Sequence, residues 1–302
     1  MAHNHQYAHE HQHTHALQSL NAIFIVCIVL NVAYVAVEAA VGLWVGSLGL
    51  LSDAGHNLSD AFSLLLSLFA FKMAQRRSTA RFTYGYRKST VLVSLLNAVI
   101  LLVAVGAIVI EAVHKLNSPE TVSGAAISWT AGVGIAVNGL TAWLLMRSQK
   151  HDLNVKGAFL HMLMDTLVSA GVVVSGIIIM FTGWTVVDSI ISLIIAAVIL
   201  VSTWKLLRES LFLSLDAVPE GIDTERIESA VSAADGVAGV HHVHIWAMST
   251  TENAATMHVR IESAAQLESV KHRIKEILHE NGITHSTIEF ELPECRCDDR
   301  GC

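Results

Sequence analysis

The sequence predicts an α-helical membrane protein, with six transmembrane helices followed by a small α+β domain. Three observations carry this expectation. Of 302 residues, 53% are hydrophobic and only 15% are charged, whereas a soluble domain carries about 25% charged residues. The charges are also unevenly spread. Residues 1–209 hold 12 of the 19 Lys and Arg and 10 of the 26 Asp and Glu, while residues 210–302 hold the other 7 and 16. An almost neutral apolar body thus precedes an acidic domain. Finally, Val91–Ile110 runs for 20 residues without an ionisable group, enough to cross a hydrocarbon core at about 1.5 Å per residue. Such a composition excludes a disordered chain and argues against a soluble enzyme. A net charge of −7 offers no support for nucleic-acid binding.

Residues 1–18 form a polar start containing six of the 17 histidines, at His3, His5, His9, His11, His13 and His15. Histidine-rich tracts of this kind read as metal binding by composition. The segment is too polar and short to fold alone and is expected to be disordered. A plain tail without a role is the alternative.

The membrane domain is expected over residues 19–209. Its spans are Ala22–Val45, Ser47–Met73, Val91–Ile110, Ser123–Met146, Val155–Phe181 and Val186–Trp204. The first is too long for a signal-peptide core and carries Glu38, so no cleavage is expected. Basic residues gather in two connections: Arg76, Arg77, Arg81, Arg87 and Lys88 after the second span, and Arg147, Lys150 and Lys156 after the fourth. Lys205 and Arg208 follow the sixth, and only Lys115 lies on the opposite side. Positive-inside bias places both termini in the cytoplasm.

A charged side chain at the centre of a membrane helix costs about 3 kcal/mol on insertion scales and marks a functional hypothesis. The second span reads LSDAGHNLSD and carries His56 and Asp60; the fifth reads HMLMD and carries His161 and Asp165. Both pairs are spaced i, i+4, which puts their side chains on one helical face. Two imidazoles and two carboxylates from facing helices suit tetrahedral Zn²⁺, and the two carboxylates neutralise its charge. Two other readings stay open. Each pair could be an internal hydrogen bond that aids packing, or the histidines could ligate haem iron, although an acid four residues on argues against haem. Asn31, Asn97 and Asn138 read as interhelical hydrogen-bonding groups, and Cys27 as a packed thiol.

Residues 210–292 resume soluble patterning. Asp223 is a good N-cap for a helix closed by Gly236. Val240–Met248 and Ala254–Ile261 read as strands, Ala264–Glu280 as a helix, and Thr287–Glu291 as a last strand. The order α-β-β-α-β fits a ferredoxin-like domain lacking one strand. Strand alternation places His242 and His244 on one face and His241 on the other. The last segment, 293–302, holds Cys295, Cys297 and Cys302. Their spacing is not that of a zinc finger, and in a reducing cytoplasm they read as thiols available to metal.

Several motifs together carry a family resemblance: SLGLLSDAGHNLSD, FTYGYRK, LNVKGAFLHMLMD, GWTVVDSIISL, VHHVHIW and HSTIEFE. The chain resembles a cation diffusion facilitator of the bacterial zinc-exporter branch over almost its whole length. The resemblance implies six spans, a cytoplasmic ferredoxin-like domain and a homodimer in the bacterial inner membrane. It also implies efflux of a divalent cation by antiport with protons. The transport ligands it implies are His56, Asp60, His161 and Asp165, and it favours His241, His258, His285 and Glu291 as cytoplasmic zinc ligands. Some relatives bear a further zinc site between the second and third spans. Here that connection, KMAQRRSTARFTYGYRK, has no His, Asp or Glu, so no metal site is expected there. Its basic surface could instead touch anionic lipid headgroups.

The expected activity is secondary transport of Zn²⁺, with Cd²⁺, Co²⁺ and Ni²⁺ as further cargo, and not enzymatic catalysis. No cofactor is expected, zinc entering only as cargo and as a structural or regulatory ion. The chain lacks G-x-x-x-x-G-K-[ST], so no nucleotide partner is expected and the proton gradient is left as the driving force. A membrane-bound metal sensor and a haem oxidoreductase are the rival classes.

Overall fold

The computed structural model describes residues 10–45, 48–117, 125–150, 152–184 and 186–292. Six long helices come first: α1 (Glu10–Val45), α2 (Leu48–Ala74), α3 (Ser89–Asn117), α4 (Ala125–Met146), α5 (Leu153–Thr182) and α6 (Val186–Ser214). Three stretches among the described residues are long and apolar enough to cross a membrane: Ala22–Val41, Ser89–His114 and Ser189–Ser214. Apolar side chains face both ways. Phe24, Leu64, Leu101, Leu145 and Met162 are fully buried, while Val29, Val37, Phe62, Val103 and Val201 point outward. An outward apolar surface on this scale needs lipid to cover it. Trp44, Trp143, Trp184 and Trp204 are likewise exposed, the first three at or near helix ends and Trp204 within α6.

Helix α5 is central and touches α2, α3, α4 and α6. One buried cluster joins Phe24, Leu64, Phe71, Leu145 and Met162 on its first side. Another joins Leu101, Val105, Met164, Ile199 and Leu206 on its second. Polar side chains tie neighbouring helices, as expected of asparagines in this setting. Asn31 Nδ2 donates to Thr141 Oγ1 at 3.3 Å, and Asn97 Nδ2 to Ser67 Oγ at 2.9 Å. Gly171 of α5 lies against α6 so closely that an added Cβ would meet Ile195 at 2.7 Å and Ile191 at 3.0 Å.

The first helix corrects one expectation. It begins at Glu10, so the segment 10–18 is helical rather than disordered. A helix already nucleated by an apolar span extends at the cost of fixing one residue per new bond, and Ala16, Leu17 and Gln18 favour this. Residues 1–9 lie outside the described residues.

The tail domain consists of α7 (Thr224–Ser232), β1 (Val237–Ala247), β2 (Asn253–Ile261), a 3₁₀ turn (Ala264–Gln266), α8 (Leu267–Glu280) and β3 (Ile283–Glu291). Asp223 caps α7 by accepting from the Arg226 N–H at 3.0 Å. The sheet has the order β1-β2-β3, with β1 and β2 antiparallel and β2 and β3 parallel. Ile227, Val231, Met257, Ile261, Ile274 and Leu278 close its core. Cys295, Cys297 and Cys302 lie outside the described residues.

A polar junction joins the two parts. Lys88 Nζ donates to the carbonyls of Leu213 at 2.8 Å and Ala247 at 2.9 Å, and pairs with Asp216. Arg87 pairs with Glu252 at 2.7 Å. Asp152 caps α5, accepting from the N–H groups of Asn154 at 2.7 Å and Val155 at 3.2 Å. The Thr250 hydroxyl, on the β1–β2 turn, donates to its second oxygen. Burial pushes the Asp152 carboxyl up to about 6, against the lowering influence of these donors.

Candidate metal centre

Asp60 and His161 meet where α2 packs against α5. His161 Nε2 hydrogen-bonds Asp60 Oδ1, and Asp165 Oδ2 lies 3.8 Å from the same nitrogen. One ligand atom from each of the three residues lies within 4.8 Å of the others. The helical spacing explains half of this: Asp165 is one turn beyond His161, so both share the face of α5 turned to α2. Packing explains the rest, because Met162 and Leu64 seal the two helices side by side.

The electrostatics favour a cation. Asp60 is 1% exposed, and His161 and Asp165 are almost as deeply buried. Two carboxylates facing one imidazole out of water repel each other unless a proton or a cation intervenes. Asp60 Oδ2 has no hydrogen-bond partner among the described residues, and such an orphaned oxygen suits metal coordination. His56 stands one turn before Asp60 on α2; its side chain lies outside the described residues.

One turn away on α2, Asn57 Nδ2 donates to Glu38 Oε2 at 3.0 Å. The Tyr34 hydroxyl donates to Glu38 Oε1 at 3.1 Å. The acid of α1 is thus held by two donors beside the Asp60 segment. Sequence reasoning noted Glu38 without giving it a partner, because the link crosses from α1 to α2.

The tail domain gathers a second group. Cross-strand pairing sets His241 of β1 opposite His258 of β2, and Glu291 of β3 comes alongside from the other edge. His241 Nε2 and His258 Nδ1 each lie 3.1 Å from Glu291 Oε1. These three residues also fall within 4.8 Å of one another. Burial raises the Glu291 carboxyl, but the His258 hydrogen bond and the charges of His241, His258 and Arg260 outweigh it, so the group titrates below its ordinary value.

Two sequence expectations need correction here. His285 does not join the cluster. It pairs with Ala254 at the far end of β3, and its ring meets Tyr84 edge-on at 5.6 Å. His285 and Glu291 are six residues apart on a strand that rises about 3.3 Å per residue, so one ion cannot reach both. His242, expected on the face opposite His241, joins the group instead. Its ring centroid lies 5.1 Å from those of both His241 and His258. The register slips between His241 and His244, and His242 adopts a positive φ of 49°. An extra residue of this kind breaks the alternation on which the expectation rested.

Comparison with known proteins places this chain in a lineage. Residues 24–213 match the cation efflux transmembrane domain, and residues 219–292 match the cytoplasmic domain of cation efflux proteins. A cadmium, cobalt and zinc/H(+)-K(+) antiporter of Bacillus velezensis is 32% identical over 296 residues, covering 96% of this chain and 92% of the relative. The zinc transporter ZitB of Pectobacterium atrosepticum is 35% identical over 305 residues, covering 100% and 92%. The metal cation efflux system protein CzcD of Cupriavidus metallidurans is 35% identical over 272 residues, covering 89% and 86%. With both of its parts matched, and with relatives of this similarity along nearly its whole length, the chain belongs to the cation efflux family, the cation diffusion facilitators.

Proposed function

We propose that the protein exports Zn²⁺ from the cytoplasm in exchange for protons, with His56, Asp60, His161 and Asp165 as the four ligands of the transported ion. The observation that carries this reading is the buried meeting of Asp60, His161 and Asp165 between α2 and α5. An ion entering there meets two carboxylates that offset its charge and imidazole nitrogen, which favours zinc over harder cations. Names of relatives lend support: one is called a cadmium, cobalt and zinc antiporter against protons and potassium, another a zinc transporter. Cd²⁺, Co²⁺ and Ni²⁺ are further cargo in this reading.

Metal and protons compete for the same ligands, because a metal binds only their unprotonated forms. In the inward-facing state the deprotonated ligands take the ion. Rocking of the helices then opens the site to the outside, where protons displace the metal and return with the empty carrier. Six spans, α1–α6, cross the inner membrane in this reading, with both termini in the cytoplasm. The tail domain pairs with a second copy, and His241, His258 and Glu291 hold a structural or regulatory zinc. Neutralising two acidic tails would draw them together.

Proteoliposomes test the proposal. The intact chain should take up Zn²⁺ and release protons on the opposite side, and Asp60→Ala should reduce both to the level of empty vesicles. Zinc flux that persists in Asp60→Ala, or that leaves the proton gradient untouched, refutes it.

A further inference from the structure

The basic connection between α2 and α3 is left without a role by zinc export. Positive-inside bias accounts for its charge but not for its shape. The connection folds back on the end of α2. Gly85 takes a φ of +71°, and an added Cβ there would lie 3.2 Å from the Arg76 carbonyl oxygen. This fold-back opens a cavity of about 670 Å³ whose wall includes Arg76, Arg77, Tyr84, Arg87, Glu252 and His285. That volume is in the range of small-molecule sites. Arg87 is neutralised by Glu252 at 2.7 Å. Neither Arg76 nor Arg77 has a side-chain partner among the described residues. The wall therefore carries two uncompensated guanidinium groups, with Tyr84 and the displaced His285 as further polar groups. A cation would be repelled from it, so it is a poor entrance for metal.

We propose that this cavity binds a phosphate-bearing anion, held by Arg76 and Arg77 and shared between the membrane body and the tail domain. A guanidinium presents paired donors that match the oxygens of a phosphate group. Two sources offer that chemistry: the headgroup of an anionic phospholipid and free phosphate. A ligand here touches the end of α2, the connection and the β1–β2 and β3 side of the tail at once, and so clamps the two parts of the chain together. The inference does not depend on zinc export, and its readout is binding.

The test uses the full chain in a neutral detergent. Thermal unfolding is followed while dioleoylphosphatidylglycerol, or inorganic phosphate matched for ionic strength with chloride, is titrated in. One or both should raise the midpoint by a few degrees in the intact chain. The double variant R76Q/R77Q should need at least about tenfold more of the same probe. Arg81→Gln, on the same connection but outside the cavity wall, should respond as the intact chain does. A shift from phosphate alone identifies a soluble anion, and a shift from the lipid alone identifies a headgroup; both uphold the site. Should R76Q/R77Q fold poorly without ligand, Arg77→Gln alone replaces it. No shift from either probe, or an equal loss in Arg81→Gln, overturns the proposal.

Discussion

At the scale of single residues, two titratable groups have opposite duties. His161 stands beside two carboxylates, and in the proposed site its nitrogen would discriminate among metals. His161→Asp would leave a site dominated by carboxylate oxygen, which suits Mn²⁺ better than Zn²⁺. Competition uptake in proteoliposomes should show a fall in the ratio of Zn²⁺ to Mn²⁺ transported; an unchanged ratio removes His161 from the selection of cargo. Asp152 lies apart from that cluster, at the start of α5. Its carboxyl is raised from 3.8 to about 6 by burial, so the folded chain holds its proton more tightly than the unfolded chain. Stability from this group is complete below about pH 4 and is lost as pH rises toward 6. Asp152→Asn should flatten that part of the pH–stability curve, measured as the unfolding midpoint between about pH 4 and 7.

At the scale of elements, α5 decides the most. It begins at the junction, carries His161 and Asp165 in its first half and leans on α6 through Gly171. Gly171→Val would drive methyl groups into Ile191 and Ile195, and such overpacking costs about 1–3 kcal/mol. A lowered unfolding midpoint together with reduced zinc uptake is expected, whereas normal uptake would show that α5 has slack against α6. The elements were mostly legible in the sequence, because apolar runs, the Asp223 cap and strand composition are local signals. The His56–Asp60 and His161–Asp165 spacings were legible for the same reason. What the sequence hid depends on neighbours. The bulge that turns His242 toward His258 follows from how β1 pairs with β2. Whether His285 reaches Glu291 depends on strand direction and length. The Glu38–Asn57 contact requires knowing that α1 lies against α2.

At the scale of the whole molecule, one lysine holds the parts in register. Lys88 reaches two carbonyls, one on α6 and one on β1, and a carboxylate between them. Lys88→Met would leave these acceptors without their donor, and each unsatisfied carbonyl costs about 1–3 kcal/mol if it stays buried. Hydrogen exchange should quicken around residues 213–222 and 247–252 while the tail sheet keeps its protection. Unchanged exchange at the junction would mean that Arg87–Glu252 and Asp152–Thr250 suffice.

The exposed tryptophans carry a consequence for where this protein can work. Trp184 precedes α6 and Trp204 lies in its second half, both on the outside. Twenty residues separate them, about 30 Å of helix, close to the thickness of a bilayer's oily layer. Indole rings settle at the boundary between chains and headgroups, so the pair acts as a built-in ruler. Vesicles made from shorter or longer acyl chains should force α6 to tilt or the bilayer to deform. Because α6 packs on α5, a strain that begins in the lipid would reach His161, the histidine proposed to hold the ion. Zinc uptake should peak at one chain length and decline on either side of it.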